Sequence, residues 1–137
     1  MVYKSVPQTR HSIPLFQEKA SAELSFSGEN YAEKSLDLNE LLINHPLQTF
    51  FIRVQSNSME HVGISINDIL VVDRAIAASD NKIVIVCIND ELTVKRIRRV
   101  GDHLFLMLES PGCRPIKITE DMDFEIWGVV TNIIHQV

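Results

Sequence analysis

From residue 49 to residue 134 the sequence consists of short runs of β-branched and aromatic residues, each ended by turn-forming residues. The runs are TFFIRVQ (49–55), DILVVD (68–73), KIVIVCI (82–88), ELTVKRIRR (91–99), HLFLML (103–108) and DFEIWGVVTNII (123–134). Branched and aromatic side chains pack well on a pleated surface, so these runs are read as strands. Asn89-Asp90 tolerates positive φ and suits a tight hairpin between two of them. Gly101-Asp102 and Pro111-Gly112 mark further turns. Short strands separated by turns imply an antiparallel, partly curled sheet or a small barrel. Gly128, inside the last run, predicts a bulge or bend there.

Residues 1–34 differ from this pattern. They carry Pro7, Pro14 and Gly28, many Ser, Glu and Lys, and no sustained period of 2 or 3.6. That composition predicts an extended or mobile arm, on which Ile13-Pro14-Leu15-Phe16 is an apolar patch that should dock. Residues 37–45 predict a short helix. Asp37 can cap it, Glu40 completes a capping box, Leu38, Leu41 and Leu42 form an apolar face, and Pro46 ends it. The expected organisation is an arm over 1–34 and a β domain over 35–137.

Composition narrows the function. A length of 137 residues with 45% hydrophobic content suits one folded domain. A formal net charge of −5 argues against general attraction to phosphate backbones, and so against direct DNA binding. The longest strongly apolar run, IVIVCI at 83–88, is far shorter than a membrane span. No signal-peptide pattern opens the sequence, so a soluble, cytoplasmic protein is expected. Cys87, in mid-strand, and Cys113 fit that compartment as free thiols.

Two residues could carry chemistry. Ser58 sits in the turn-like run Ser56-Asn57-Ser58-Met59, after one strand and before a segment containing Gly63. A hydroxyl at a strand end can face a cleft while neighbouring backbone N–H groups face an oxyanion. Serine attacks only when a base takes its proton, and a lysine that loses its charge in an apolar site can be that base. Lys95 is the candidate. With period 2 it shares a face with Thr93 and Ile97, whereas Val94, Arg96 and Arg98 share the other. A free lysine titrates near 10.4, so service as a base near neutrality costs about 4 kcal/mol, which desolvation would have to supply. The plainer alternatives are a turn serine and a solvated lysine on a cationic edge strand. His61, three residues after Ser58, reads as a surface loop residue. A triad through Asp68 or Asp73 stays open on sequence grounds. The five histidines and two cysteines show no metal spacing, and there is no phosphate-cradling glycine loop, so no cofactor or metal is expected.

The segments SLDLNELLINHP, SNSMEHVGISINDILVVD and ELTVKRI resemble the UmuD/MucA branch of the LexA-like self-cleaving serine peptidases. The likeness runs from about Ile13 to the C-terminus. It rests on the Ser-Met pair, the Gly-Ile-x-x-x-Asp stretch after it, and the lysine that follows. It implies a mainly β fold, a curled antiparallel sheet of the β-clip type, with a short helix and an extended N-terminal arm. It further implies Ser58 as nucleophile, Lys95 as general base, and the backbone amides of Asn57 and Ser58 as the oxyanion site. The bond cut would lie in the protein's own arm. With Pro14-Leu15-Phe16 and Asp37-Leu38-Asn39 as anchors, it corresponds to Ala22-Glu23. The family usually cuts before glycine, so Glu23 is a departure that predicts slower or shifted cleavage; Ser27-Gly28 supplies a glycine, five residues further on. The implied partners are a second copy in a homodimer, a RecA filament, and a UmuC-like Y-family polymerase. LexA itself carries a helix-turn-helix; residues 1–57 show no such helix pair, so a repressor role is not expected.

Overall fold

The computed structural model describes residues 2–4, 11–16, 32–57, 59–107 and 114–137. The strand-forming runs become β4 (Thr49–Arg53), β5 (Ile69–Asp73), β6 (Ile83–Ile88), β7 (Glu91–Val100), β8 (His103–Met107) and β10 (Phe124–Ile134). Four shorter strands join them: β1 (Val2–Lys4), β2 (Ser12–Phe16), β3 (Ala32–Asp37) and β9 (Ile116–Lys117). One sheet has the order β1-β4-β5-β10-β6-β7-β8-β9, and β2 and β3 form a separate ribbon. Every described pairing is antiparallel. The large sheet ends in β1 on one side and β9 on the other, so it curls without closing into a barrel.

The turns follow their residues. Asn89 and Asp90 both take positive φ (50° and 64°), which gives the β6–β7 hairpin a two-residue turn of the mirror-image type that suits strand twist. Gly101, at φ 60°, opens the equally short β7–β8 connection. The helix is shorter than the residues 37–45 suggest. Only α1 (Leu38–Leu42) forms, with Asp37 accepting from the Asn39 N–H at 3.0 Å, and Pro46 starts a 3-10 turn. Its leucine face is not buried: Leu38 and Leu41 are 58% and 54% exposed. In the segment 1–34, β1 is hydrogen-bonded to β4 and β2 to β3.

Both faces of the sheet are packed. Along β6, Val84 and Val86 join Ile97, Leu106 and Val129 in one cluster. Ile85, between them, belongs to the opposite cluster with Val54, Met59, Ile64, Leu70 and Val72. That is the period-2 alternation of a strand covered on both sides. The curl originates in β10. Its register slips between Ile126 and Gly128 against β6, and again between Val130 and Asn132 against β5. Gly128 is required there by contact: a Cβ would lie 2.6 Å from Val72 Cγ1 and 3.3 Å from Arg74 Cγ. Next to it, Trp127 packs on Phe50 with ring centroids 5.1 Å apart, beneath the Arg74 guanidinium at 4.5 Å. The Arg74 Nε–H donates to the Trp127 carbonyl at 2.7 Å, tying the bend to β5's exit. Because Val72 is fully buried and cannot yield, Gly128→Val is expected to lower stability by about 1–3 kcal/mol or more, read as a reduced urea midpoint.

Candidate functional site

At Arg53 the chain leaves β4. It is held beside the start of β5 by Val54 N–H donating to the Asp68 carbonyl (2.8 Å) and Asn67 N–H donating to the Val54 carbonyl (2.9 Å). A 3-10 turn at Glu60–Val62 follows, and Gly63 closes it in the left-handed conformation, φ 85°. Met59 and Ile64 anchor the turn in the core at 3% and 0% exposure, joined by the Ile64 N–H donating to the Met59 carbonyl. Ser58 lies outside the described residues, as do Ala22 and Glu23. The neighbours of Ser58 are placed. Asn57 is exposed, with its carbonyl accepting from the Glu60 N–H at 3.2 Å, and Met59 is buried.

The second wall comes from β7. Three strands separate β4 from β7 in the sheet, yet the curl brings both to one groove of about 360 Å³. Ser56, Met59 and Ile64 line it from the turn, and Thr93, Val94 and Lys95 from β7. Lys95 is half-buried, and Ile97, two residues on, is fully buried. The two arginines are drawn elsewhere. Arg96 donates to the Asn81 carbonyl at 2.8 Å, and Arg98 lies 3.6 Å from the Asp80 carboxylate. Neither Arg96 nor Arg98 lines the groove, although Arg53 does from β4, and Val94 lines it beside Lys95 instead of facing away as the strand alternation suggests. Thr93 Oγ1 is shut off from solvent without a hydrogen-bond partner among the described residues. Such a hydroxyl costs about 1–3 kcal/mol if it stays unpaired.

Both aspartates that a triad would need are committed to other histidines. Asp68 Oδ1 meets His135 Nδ1 at 2.5 Å, and Oδ2 accepts from the Ser65 N–H at 2.9 Å. Asp73 Oδ2 meets His45 Nδ1 at 2.6 Å, and Oδ1 accepts from the Ala75 N–H at 2.8 Å. These bonds brace the framework: His135 ties the C-terminal tail to the loop that follows the Met59 turn, and His45 ties the helix exit to the end of β5. Each oxygen of both carboxylates already has a hydrogen-bond partner. Cys87 is a free, half-buried thiol on β6, away from the groove lining. Among the described residues no helix is long and apolar enough to cross a membrane.

The sequence model of the S24-like peptidases matches residues 14–131. The protein MucA of Salmonella typhimurium is 38% identical over 130 residues, covering 89% of this chain and 84% of MucA. The protein ImpA of Shigella flexneri is 36% identical over 129 residues, covering 90% and 83%. The LexA repressor of Pseudomonas chlororaphis is 31% identical over 126 residues, which span 91% of this chain and 61% of that repressor. The chain belongs to the S24-like peptidase family, in its UmuD/MucA branch.

The Asp68 bracket has a pH signature. The Ser65 N–H and then His135 hold its carboxyl below the ordinary carboxylate range, against the opposing effect of burial. A carboxylate with a lowered folded-state value adds stability above its unfolded value, near 3.9, and loses it as pH falls through the folded one. The stability gap between the parent chain and Asp68→Asn should therefore be full near pH 6 and shrink below about pH 4, in urea titrations across that range. A gap independent of pH would contradict the bracket.

Proposed function

We propose that this protein is a Ser-Lys peptidase of the UmuD type that cuts its own N-terminal segment at Ala22-Glu23. Ser58 is the nucleophile and Lys95 the base. Neutral Lys95 Nζ takes the Ser58 hydroxyl proton as Oγ attacks the Ala22 carbonyl carbon. The backbone N–H groups of Asn57 and Ser58 hold the resulting oxyanion. The lysine then returns the proton to the Glu23 nitrogen as the C–N bond breaks, and water releases the acyl group from Ser58. The observation that carries this reading is the S24-like match together with Lys95 lining the same groove as both Ser56 and Met59, which flank the serine turn.

Ala22 and Glu23 lie in the stretch that joins β2 to β3, so the proposed substrate is the connection of the two-stranded ribbon. Glu23 stands where relatives have glycine. Its carboxylate favours the charged form of a nearby ammonium, which opposes the base role and slows the reaction. The family points to the biological setting: a cytoplasmic, homodimeric SOS protein whose cleavage is stimulated by RecA filaments. Its trimmed form then serves a UmuC-like, error-prone translesion polymerase as accessory subunit. That role does not need the chain to bind DNA itself, in keeping with its net charge of −5.

Because the base must be neutral, cleavage of the purified protein should accelerate as pH is raised toward about 10, in mass spectra of timed samples. Ser58→Ala and Lys95→Ala should each reduce the rate by a hundredfold or more, on the order of what a lost nucleophile or base costs. An intact chain at every pH, with RecA filaments also present, would leave a non-cleaving accessory subunit as the function.

A further inference from the structure

The bond Ala22-Glu23 is flanked by hydrogen-bonded strands on both sides. β1 and β2 precede it and β3 follows it. β1 runs along the outer edge of β4, with Val2 opposite Ile52, Tyr3 opposite Phe51 and Lys4 opposite Phe50. The other edge of β4 pairs with β5, so β1 is what covers β4 among the described residues. β2 lies along β3 from the Ser12–Asp37 pair to the Phe16–Ala32 pair. A cut between residues 17 and 31 breaks none of these ladders.

We propose that the outer edges of β4 and β3 form a two-point docking surface for the chain's own residues 1–16, so that scission leaves the N-terminal fragment bound. Each contact alone is weak. A three-residue strand makes few ladder bonds, and a two-stranded ribbon by itself is marginal in water. The short tether of residues 5–11 couples them: once one strand is paired, the other is presented at the high effective concentration of a linked ligand. Cutting converts an intramolecular contact into a complex that dissociates on dilution. Scission and release are therefore separate steps. The edge of β4, which carries Phe50, Phe51 and Ile52 and has no proline, becomes open to another extended strand only at the second step. Val2 also lines the Lys95 groove, so the retained fragment keeps one end of that groove covered.

The inference rests on the proposed cut in the β2–β3 connection, and its test is made independent of self-cleavage. A chain carrying Ser58→Ala and a recognition sequence for a specific protease between residues 17 and 31 is cut with that protease. It is then run on size exclusion and analysed by native mass spectrometry. The fragment is expected to co-migrate with the domain and to leave on dilution. A second chain carries Val2→Pro and Tyr3→Pro as well. Successive residues of an antiparallel strand turn their N–H groups alternately toward and away from the partner, so one of the two prolines removes a ladder donor. Its fragment should bind roughly tenfold more weakly. Complete separation in the first chain before any dilution, or equal retention in both chains across the dilution series, would overturn the proposal. Because this cut uses neither Ser58 nor Lys95, its outcome is separate from whether the protein cleaves itself.

Discussion

The position of the site depends on the bend of β10. The strand pairs with β5 along one edge and β6 along the other, and its register slips once against each. Bulges increase local twist, and two in one central strand roll the sheet so that its two halves approach. Without that curl, β4 and β7 would stay three strands apart. With it, the turn that leaves β4 and the lysine of β7 line one groove. The contact that fixes the bend is small: Gly128 lies against Val72, where no Cβ fits.

A second constraint holds the turn still. Asp68, 2% exposed, receives the Ser65 N–H and meets His135, and its carbonyl accepts from Val54. One residue thus links the exit of β4, the loop after the Met59 turn and the C-terminal tail. Met59 and Ile64 fix the same turn from below by burial. A nucleophile on a short turn is useful only if its neighbours are rigid, since effective catalysis depends on small errors of placement. The framework here is built from buried side chains and the Asp68 hydrogen bonds.

The six longer strands, the Asn89-Asp90 hairpin and the β10 bulge were legible because each rests on local signals: branched residues, turn residues and one interior glycine. The strands β1, β2, β3 and β9 were not. They are short or polar, β2 contains Pro14, and their pairing comes from the edges they meet rather than from their own pattern. The leucines of α1 misled in the other direction. Their spacing suggested a buried face, but a helix of barely more than one turn leaves Leu38 and Leu41 in solvent. For the site, alternation on β7 set Lys95 apart from Arg96 and Arg98, which contact Asn81 and Asp80, but it also turned away Val94, which lines the groove beside Lys95. The groove itself was invisible, because proximity of β4 and β7 is a property of the curl and of no local segment. The commitment of Asp68 to His135 and Asp73 to His45 also needed tertiary structure, since each pair spans more than 25 positions.

The central claim is that the groove lets Lys95 activate Ser58, whether or not the Ala22-Glu23 segment is a good substrate. The most direct measurement is labelling with a small serine-directed fluorophosphonate, located by peptide mass mapping. The account predicts modification of Ser58, rising with pH, and its loss in Lys95→Ala. Labelling of Ser58 that is undiminished in Lys95→Ala, or no labelling of Ser58 at any pH, would contradict it.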